Sequence, residues 1–255
     1  MIPSVIGERE KYIFDQVVKG NFDARWCNLQ FSACGHDVRL LVMEDALKIE
    51  GTRVNVSATL SQNLADIFDA SLPTAQVADA IFGFAQRRAD PRPMPITTAT
   101  SAMIQHSESV DKQLTGSGLA STVGKHWILD EQLQSKIGSA CNYGWHFVGA
   151  SFQGIKGFLP ATTLSGQNTR VIQPNATAHD PHHVDYSQIC QLVSQQCWID
   201  GIEMRFEDVI KDPQYAPAVS HQGALKIDRQ PGVLKIQGQI ILMPTIITGD
   251  NDANV

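Results

Sequence analysis

The chain lacks most of the features that assign a class of function at once. It has no excess of basic charge: 20 Lys and Arg stand against 26 Asp and Glu, for a net charge of −6. The basic residues are not bunched either, so there is no electrostatic footprint for nucleic acid. No apolar run is long enough to span a membrane, and the start, MIPSVIGEREKY, has no basic-then-apolar leader pattern. The expected location is therefore the cytoplasm, or a virion particle into which the protein is packed. The five cysteines, Cys27, Cys34, Cys141, Cys190 and Cys197, include no CxxC and are odd in number. Cys190 and Cys197 fall on one predicted helix about two turns apart, too far for a disulfide, so reduced thiols are expected. There is no internal repeat and no low-complexity tract. What remains is an ordinary globular composition and 255 residues, enough to bury a sizeable core.

Periodicity and turn residues predict the elements. Residues 7–19 read as a helix with Tyr12, Ile13 and Val17 on its apolar side. Residues 25–31 and 38–43 read as strands around the turn at 33–37, and 46–56 as a short strand pair around Glu50-Gly51. Thr59 with Gln62 forms a capping box for a second helix, and a third follows Ser71-Leu72-Pro73-Thr74. Pro91, Pro93 and Pro95 make an extended connector. It divides a mainly helical part, 1–95, from a β-rich part, 96–255, unless the two form one continuous domain. Residues 97–114 read as a helix with Met103, Ile104, Val110 and Leu114 inward and His106 on the surface. The stretch 115–125 invites a phosphate-loop reading, but Gly118 and Gly124 have five residues between them and His126 stands where Ser or Thr is required. A flexible loop is expected instead. Residues 126–129 and 141–147 are predicted strands, and 149–175, rich in Gly, Ser, Thr and Asn, a long binding loop. Asp200-Gly201 is a turn, followed by a strand to Phe206, a short helix, and β-structure over 223–247 with Pro231-Gly232 as its hairpin.

One stretch gathers more titratable chemistry than any other: Ala178-His179-Asp180-Pro181-His182-His183-Val184-Asp185-Tyr186-Ser187-Gln188. Asp185 and Gln188 have capping-box spacing, and Val184 with Ile189 can form a hydrophobic staple. Ile189, Leu192, Val193 and Cys197 recur at helical spacing, which predicts a central helix over 186–197. Its N-terminus would offer unpaired N–H groups to an anion. Asp185 then has a bland role, starting that helix, or a chemical one.

Two chemistries fit these residues. His179, His183 and Asp185 offer N, N and O ligands, with His146 as a fourth from a neighbouring strand, the open arrangement of a catalytic zinc. No HExxH-type spacing accompanies them. Alternatively Ser187 is a nucleophile at the helix start, with His146 or His183 as base and Asp185 as orienting acid. No GxSxG elbow surrounds it. Cys141 is a rival nucleophile, although strand residues five apart face opposite ways.

The run Val184-Asp185-Tyr186-Ser187-Gln188-Ile189-Cys190-Gln191-Leu192-Val193, preceded by Asn142-Tyr143-Gly144-Trp145-His146, resembles the nucleophile helix start and the aromatic-glycine stretch of NlpC/P60 cell-wall peptidases. Tyr186 occupies the position of that family's nucleophilic cysteine, so the resemblance implies a repurposed or inactive site, or one that uses Ser187. The same pairing of motifs resembles uncharacterised bacterial and phage proteins, a resemblance that brings no known activity with it.

The expectation is an α+β fold: a helix-dominated N-terminal part, then a mixed β-rich part around the 185–197 helix. The leading functional expectation is a hydrolase of an amide or peptide bond, with a small peptide or glycopeptide as ligand, at His146, His179, His183, Asp185 and Ser187. The alternative is a non-enzymatic structural or binding protein of a bacterium or phage, presenting the 149–175 loop and the Tyr143/Trp145 edge as a contact surface.

Overall fold

The computed structural model describes residues 1–148, 160–162 and 168–236. The fold is mixed α+β, and of the five α-helices among the described residues four lie before residue 112. Helix α1 (Ile6–Val18) is followed by the hairpin β1 (Trp26–Ala33) and β2 (His36–Met43). Its turn, Cys34-Gly35, takes positive φ at both residues (52° and 84°), which matches the twist of an antiparallel pair. A second small hairpin, β3 (Lys48–Ile49) and β4 (Thr52–Arg53), turns at Glu50-Gly51 in the same way. Helix α2 (Ala58–Ile67) is capped by Ser57, whose hydroxyl accepts from the Leu60 amide. Thr59, the expected cap, instead bonds the Pro181 carbonyl. After β5 (Ala70–Ser71), Thr74 caps α3 (Ala75–Phe84) through the Val77 amide.

Beyond the proline-rich connector comes α4 (Thr100–Asp111). Met103 and Val110 are buried as expected, but Ile104 is exposed, and His106 is buried rather than on the surface. Strands β6 (Lys125–Ile128) and β7 (Ala140–Val148) form an antiparallel pair, extended by β9 (Asn168–His179) and β8 (Pro160–Thr162). The described part of the expected 149–175 loop is therefore strand; 149–159 and 163–167 lie outside the described residues. So do 237–255, which hold the end of the β-structure expected over 223–247 and the C-terminal tail. Residues 223–236 contain a turn at Pro231-Gly232 but no strand.

The central helix expected over 186–197 is not formed. That segment is β10 (Gln188–Ile189) and β11 (Val193–Ile199). β11 is an interior strand, paired to β2 on one side and to β12 (Ile202–Arg205) on the other, with β5 added at its start. Five of its seven residues are buried, because most of the strand is covered on both faces. Burial on two faces abolishes the alternation of a half-buried strand and leaves spacings of three and four by coincidence. Helix α5 (Phe206–Val209) follows β12, as the sequence predicts.

Among the described residues two five-stranded sheets result, β1-β2-β11-β12 with β5, and β10-β6-β7-β9-β8, beside the two-stranded β3-β4. Because β2 pairs with β11, one sheet runs across the Pro91–Pro95 connector. One core does too: Val42, Leu64, Met103, Trp127 and Val193 belong to a single buried cluster. Helix α3 lies between the sheets, touching β1 and β7. Seven of its ten residues are buried, Val77, Ala80 and Ile81 in the main core and Ala78 against Cys141 and Tyr143. A helix buried nearly all round carries few polar residues, so Asp79 in its middle stands out. Among the described residues, no helix is long and apolar enough to cross a membrane.

Leu40 on β2 has no solvent exposure and lies in the main core. Leu40→Ala is expected to cost about 2–5 kcal/mol. Urea denaturation checks this: the midpoint should fall while the slope stays unchanged.

Candidate functional site

The β6–β7 hairpin separates two polar clusters. Its register pairs Lys125 with Gly144, His126 with Tyr143, Trp127 with Asn142 and Ile128 with Cys141. Alternation sends His126, Ile128, Cys141 and Tyr143 to one face, and Lys125, Trp127 and Asn142 to the other. At the end of the pairing, Gly144 and Trp145 take φ of 110° and 59°, which resets the alternation. Tyr143 and His146, three residues apart, therefore reach the same group, Asp79 on α3. Trp145 turns the other way and packs against Ala102 and Tyr186.

On the first face, His146 Nε2 lies 2.7 Å from Asp79 Oδ1, and its Nδ1 lies 2.7 Å from Thr122 Oγ1. Tyr143 donates its hydroxyl to the same Asp79 oxygen (2.6 Å), and His221 Nε2 lies 3.0 Å from the other. A neutral His146 with its proton on Nε2 satisfies both neighbours: it donates to Asp79 and accepts the Thr122 hydroxyl. The ring stacks on Phe82 at 5.1 Å. Burial alone would raise the Asp79 pKa, but hydrogen bonds from His146, His221 and Tyr143 outweigh it and hold the carboxyl below its ordinary range. Burial, with Asp79 beside it, pushes the Tyr143 phenol well up, so it stays a donor. Thr122 and His146 are wholly enclosed, and His221, with its side chain 48% exposed, is the group that meets solvent.

His126 stands beside this cluster. Gln191 donates its amide to the Met43 carbonyl, so its Oε1 accepts from His126 Nε2 (3.1 Å). The remaining nitrogen, Nδ1, is buried with no hydrogen-bond partner among the described residues. It points at Gly144: a Cβ added there would sit 3.4 Å from His126 Nδ1 and 3.3 Å from His146 Cε1.

On the second face, Lys125 Nζ bonds Asp185 Oδ2 at 2.6 Å, and the Ser187 hydroxyl and amide bond Asp185 Oδ1 at 2.6 and 2.8 Å. Burial would raise the Asp185 pKa; the Lys125 charge and the Ser187 bonds reverse this and hold it low. His179 and His183 stack in parallel at 4.4 Å, half-buried, with His179 edge-on to Trp127. The Asp185 amide does bond Gln188 Oε1, as a capping box requires, but the chain then leaves as a strand. No helix N-terminus is present to stabilise an anion.

Of the five residues singled out from the sequence, four thus gather on one side of the hairpin, while His146 lies on the other. No hydrogen-bond or ring partner of His146 among the described residues belongs to the 179–187 loop. Ser187 is 1% exposed and is tied to Asp185, not to an imidazole. The metal set of His179, His183 and Asp185 is not assembled: both Asp185 oxygens are already engaged. Among the described residues no group of three or more His, Cys, Asp or Glu side chains is placed to hold a metal ion. Tyr143 and Trp145, expected as a contact edge, are 6% and 3% exposed. Tyr186 is an anchor: its hydroxyl accepts from the Met94 amide and donates to the Met94 carbonyl. Burial pushes the Cys141 thiol up to about 12, away from a nucleophile's range. Asp79 and Thr122 carry no sequence signal beyond a lone acid in an apolar helix and a threonine in a Gly- and Ser-rich run.

No family model, no curated protein and no solved structure matches the chain.

Burial pushes His106 and His126 down to about 4. An unfolded histidine titrates near 6.5, so between these values the unfolded chain binds more protons than the native one. The stability these two neutral rings contribute is complete above about pH 6.5 and declines as pH falls toward about 4. Urea midpoints measured across this window should fall with pH, and His106→Gln or His126→Gln should each flatten the slope. A wild-type profile that is flat over the window contradicts the assignment.

Proposed function

We propose that the protein is a hydrolase of amide or peptide bonds, with Thr122 as nucleophile, His146 as general base and Asp79 as the acid that orients it. One observation carries this reading: a hydroxyl, an imidazole and a carboxylate lie in line at 2.7 and 2.7 Å, the relation that nucleophilic acyl transfer requires. Thr122 Oγ1 attacks the carbonyl carbon as its proton passes to His146 Nδ1. The imidazolium so formed is stabilised by Asp79 and returns the proton to the departing amine. Water then gives a proton to His146, attacks the acyl-threonine ester and releases the carboxylic acid, and Thr122 recovers its proton. Two further features agree with a working site: a bulky residue, Trp145, held at positive φ next to the base, and the unpartnered His126 nitrogen facing it. Cell-wall peptides are the substrate class, on the resemblance of 142–146 and 184–193 to NlpC/P60 peptidases.

A second reading, a non-enzymatic structural or binding protein, also has an observation in its favour. Thr122 and His146 have no solvent exposure, so a substrate must meet a more open form of the site.

The test is hydrolysis of peptidoglycan stem-peptide fragments, followed by mass spectrometry, alongside labelling with a fluorophosphonate. Thr122→Ala should abolish both, and His146→Gln should lower the rate by about 10³-fold or more. Near-ultraviolet circular dichroism establishes that each variant is folded. Wild-type protein that neither labels nor hydrolyses, or a Thr122→Ala variant that retains activity, favours the non-enzymatic reading.

A further inference from the structure

The outer face of the β1-β2-β11-β12 sheet carries a second feature, distant in the fold from the β6–β7 hairpin. Here Arg39 on β2 sits directly across from Gln30 on β1 and from Trp198 on β11. Its guanidinium lies over the Trp198 ring, 3.6 Å from the centroid. These side chains, with Ser32, Asp37 and Gly201, line a groove of about 500 Å³, within the size range of small-molecule sites.

The Arg39 guanidinium makes no hydrogen bond and no ion pair with any described residue. The acids around it are already engaged. Asp37 Oδ1 accepts from Ser32, Asp200 holds His36 and the Asp37 amide, and Glu203 accepts from Gln196. Stacking occupies one flat face of the guanidinium and holds the side chain in place, while the N–H groups along its edge stay available. That edge has the geometry of a bidentate carboxylate receptor. Asp37 adds a constraint. It projects to the same face two residues along β2, roughly 7 Å away, and its Oδ2 makes no hydrogen bond with a described residue. A bare anion would be repelled by it, whereas a ligand with a hydroxyl or ammonium beside its carboxylate would bond both residues. The Gln30 amide, exposed and directly opposite Arg39, supplies a further donor and acceptor.

We propose that this groove binds a small hydroxy- or amino-carboxylate, with Arg39 taking the carboxylate, Asp37 the neighbouring donor and Trp198 holding Arg39 in place. Sugar acids and free amino acids share this chemistry. The inference rests on the Arg39 face alone and stands whether or not the protein is a hydrolase.

Trp198 makes the test direct. Trp26, Trp127 and Trp145 are 1%, 2% and 3% exposed, while Trp198 is half-buried. Intrinsic fluorescence is titrated with glucuronate and with alanine, and with glucuronamide and alaninamide, which lack the carboxylate, as controls. A saturable change is expected with at least one carboxylate and with neither amide, and which carboxylate responds separates the two sources. Arg39→Gln should weaken the response at least tenfold, with an unchanged urea midpoint. An equal response to the amides, a response that survives Arg39→Gln, or no saturable change up to about 10 mM, the range of very weak affinity, overturns the proposal.

Discussion

The left-handed step at Gly144 and Trp145 is the constraint on which the arrangement of this protein depends. Strand β7 reaches it after pairing regularly with β6, and leaves it with its faces exchanged. Without the step, Tyr143 and His146 would project to opposite sides and could not share Asp79. With it, Trp145 is free to join Tyr186 and His106 on the other side. Glycine suits φ of 110°, a conformation that side chains rarely adopt. Trp145 at φ of 59° has no such freedom, and the left-handed region costs it roughly 1–2 kcal/mol. Burying an indole that is only 3% exposed offsets this by about 2–3 kcal/mol. The step is tolerated because the tryptophan has somewhere to go.

Each side of the hairpin then buries one carboxylate, kept ionised by different means. Asp185 is matched by a full cation, Lys125, at 2.6 Å. Removing one partner of such a pair leaves an uncompensated buried charge, at about 3–5 kcal/mol, so the pair acts as a latch. Lys125 opens β6 and Asp185 lies three residues before β10; their bond ties down the segment that lets Gln188 pair with Lys125 in parallel. Asp79 is matched by hydrogen-bond donors, and two of the three are imidazoles able to exchange a proton. A lysine held by a carboxylate is poor at proton transfer, while an imidazole between a hydroxyl and a carboxylate is well suited to it. The two clusters look alike in composition, but Asp185 is held by a lysine and Asp79 by two imidazoles and a phenol.

Much of the fold is legible in the sequence because local rules decide it. Cys34-Gly35, Glu50-Gly51 and Asp200-Gly201 are turns that take positive φ without regard to the rest of the chain. Thr74 caps α3 by the rule that predicts it. The 186–197 segment was not legible, since its interior place in a sheet is set by β2, some 150 residues earlier in the chain, and covering on both faces mimics helical spacing. The candidate site was half legible. The density of histidines and aspartates at 179–187 marks a real cluster, and Tyr143-Gly144-Trp145-His146 marks the strand that carries His146. Nothing local reveals that His146 turns toward α3. Asp79 is one acid in an apolar helix, and Thr122 and Lys125 lie in a run whose glycines suggest only a loop.

The burial of Thr122 and His146 can be weighed against chemistry as well as for it. A core whose only task was to fill space would have cheaper solutions, because well-packed apolar residues are often neutral or stabilising in place of buried charged networks. Here the chain keeps an ionised aspartate at 2% exposure, a tryptophan at positive φ and an imidazole nitrogen with no hydrogen-bond partner among the described residues, all around one strand pair. The unpartnered nitrogen alone costs about 1–3 kcal/mol. Against a net stability of about 5–15 kcal/mol for an ordinary domain, these terms together are a large fraction. Buried unpaired polar atoms also occur elsewhere in the core, at Asn55 and Gln76 among others, so what sets this strand pair apart is the alignment of hydroxyl, imidazole and carboxylate rather than the cost itself.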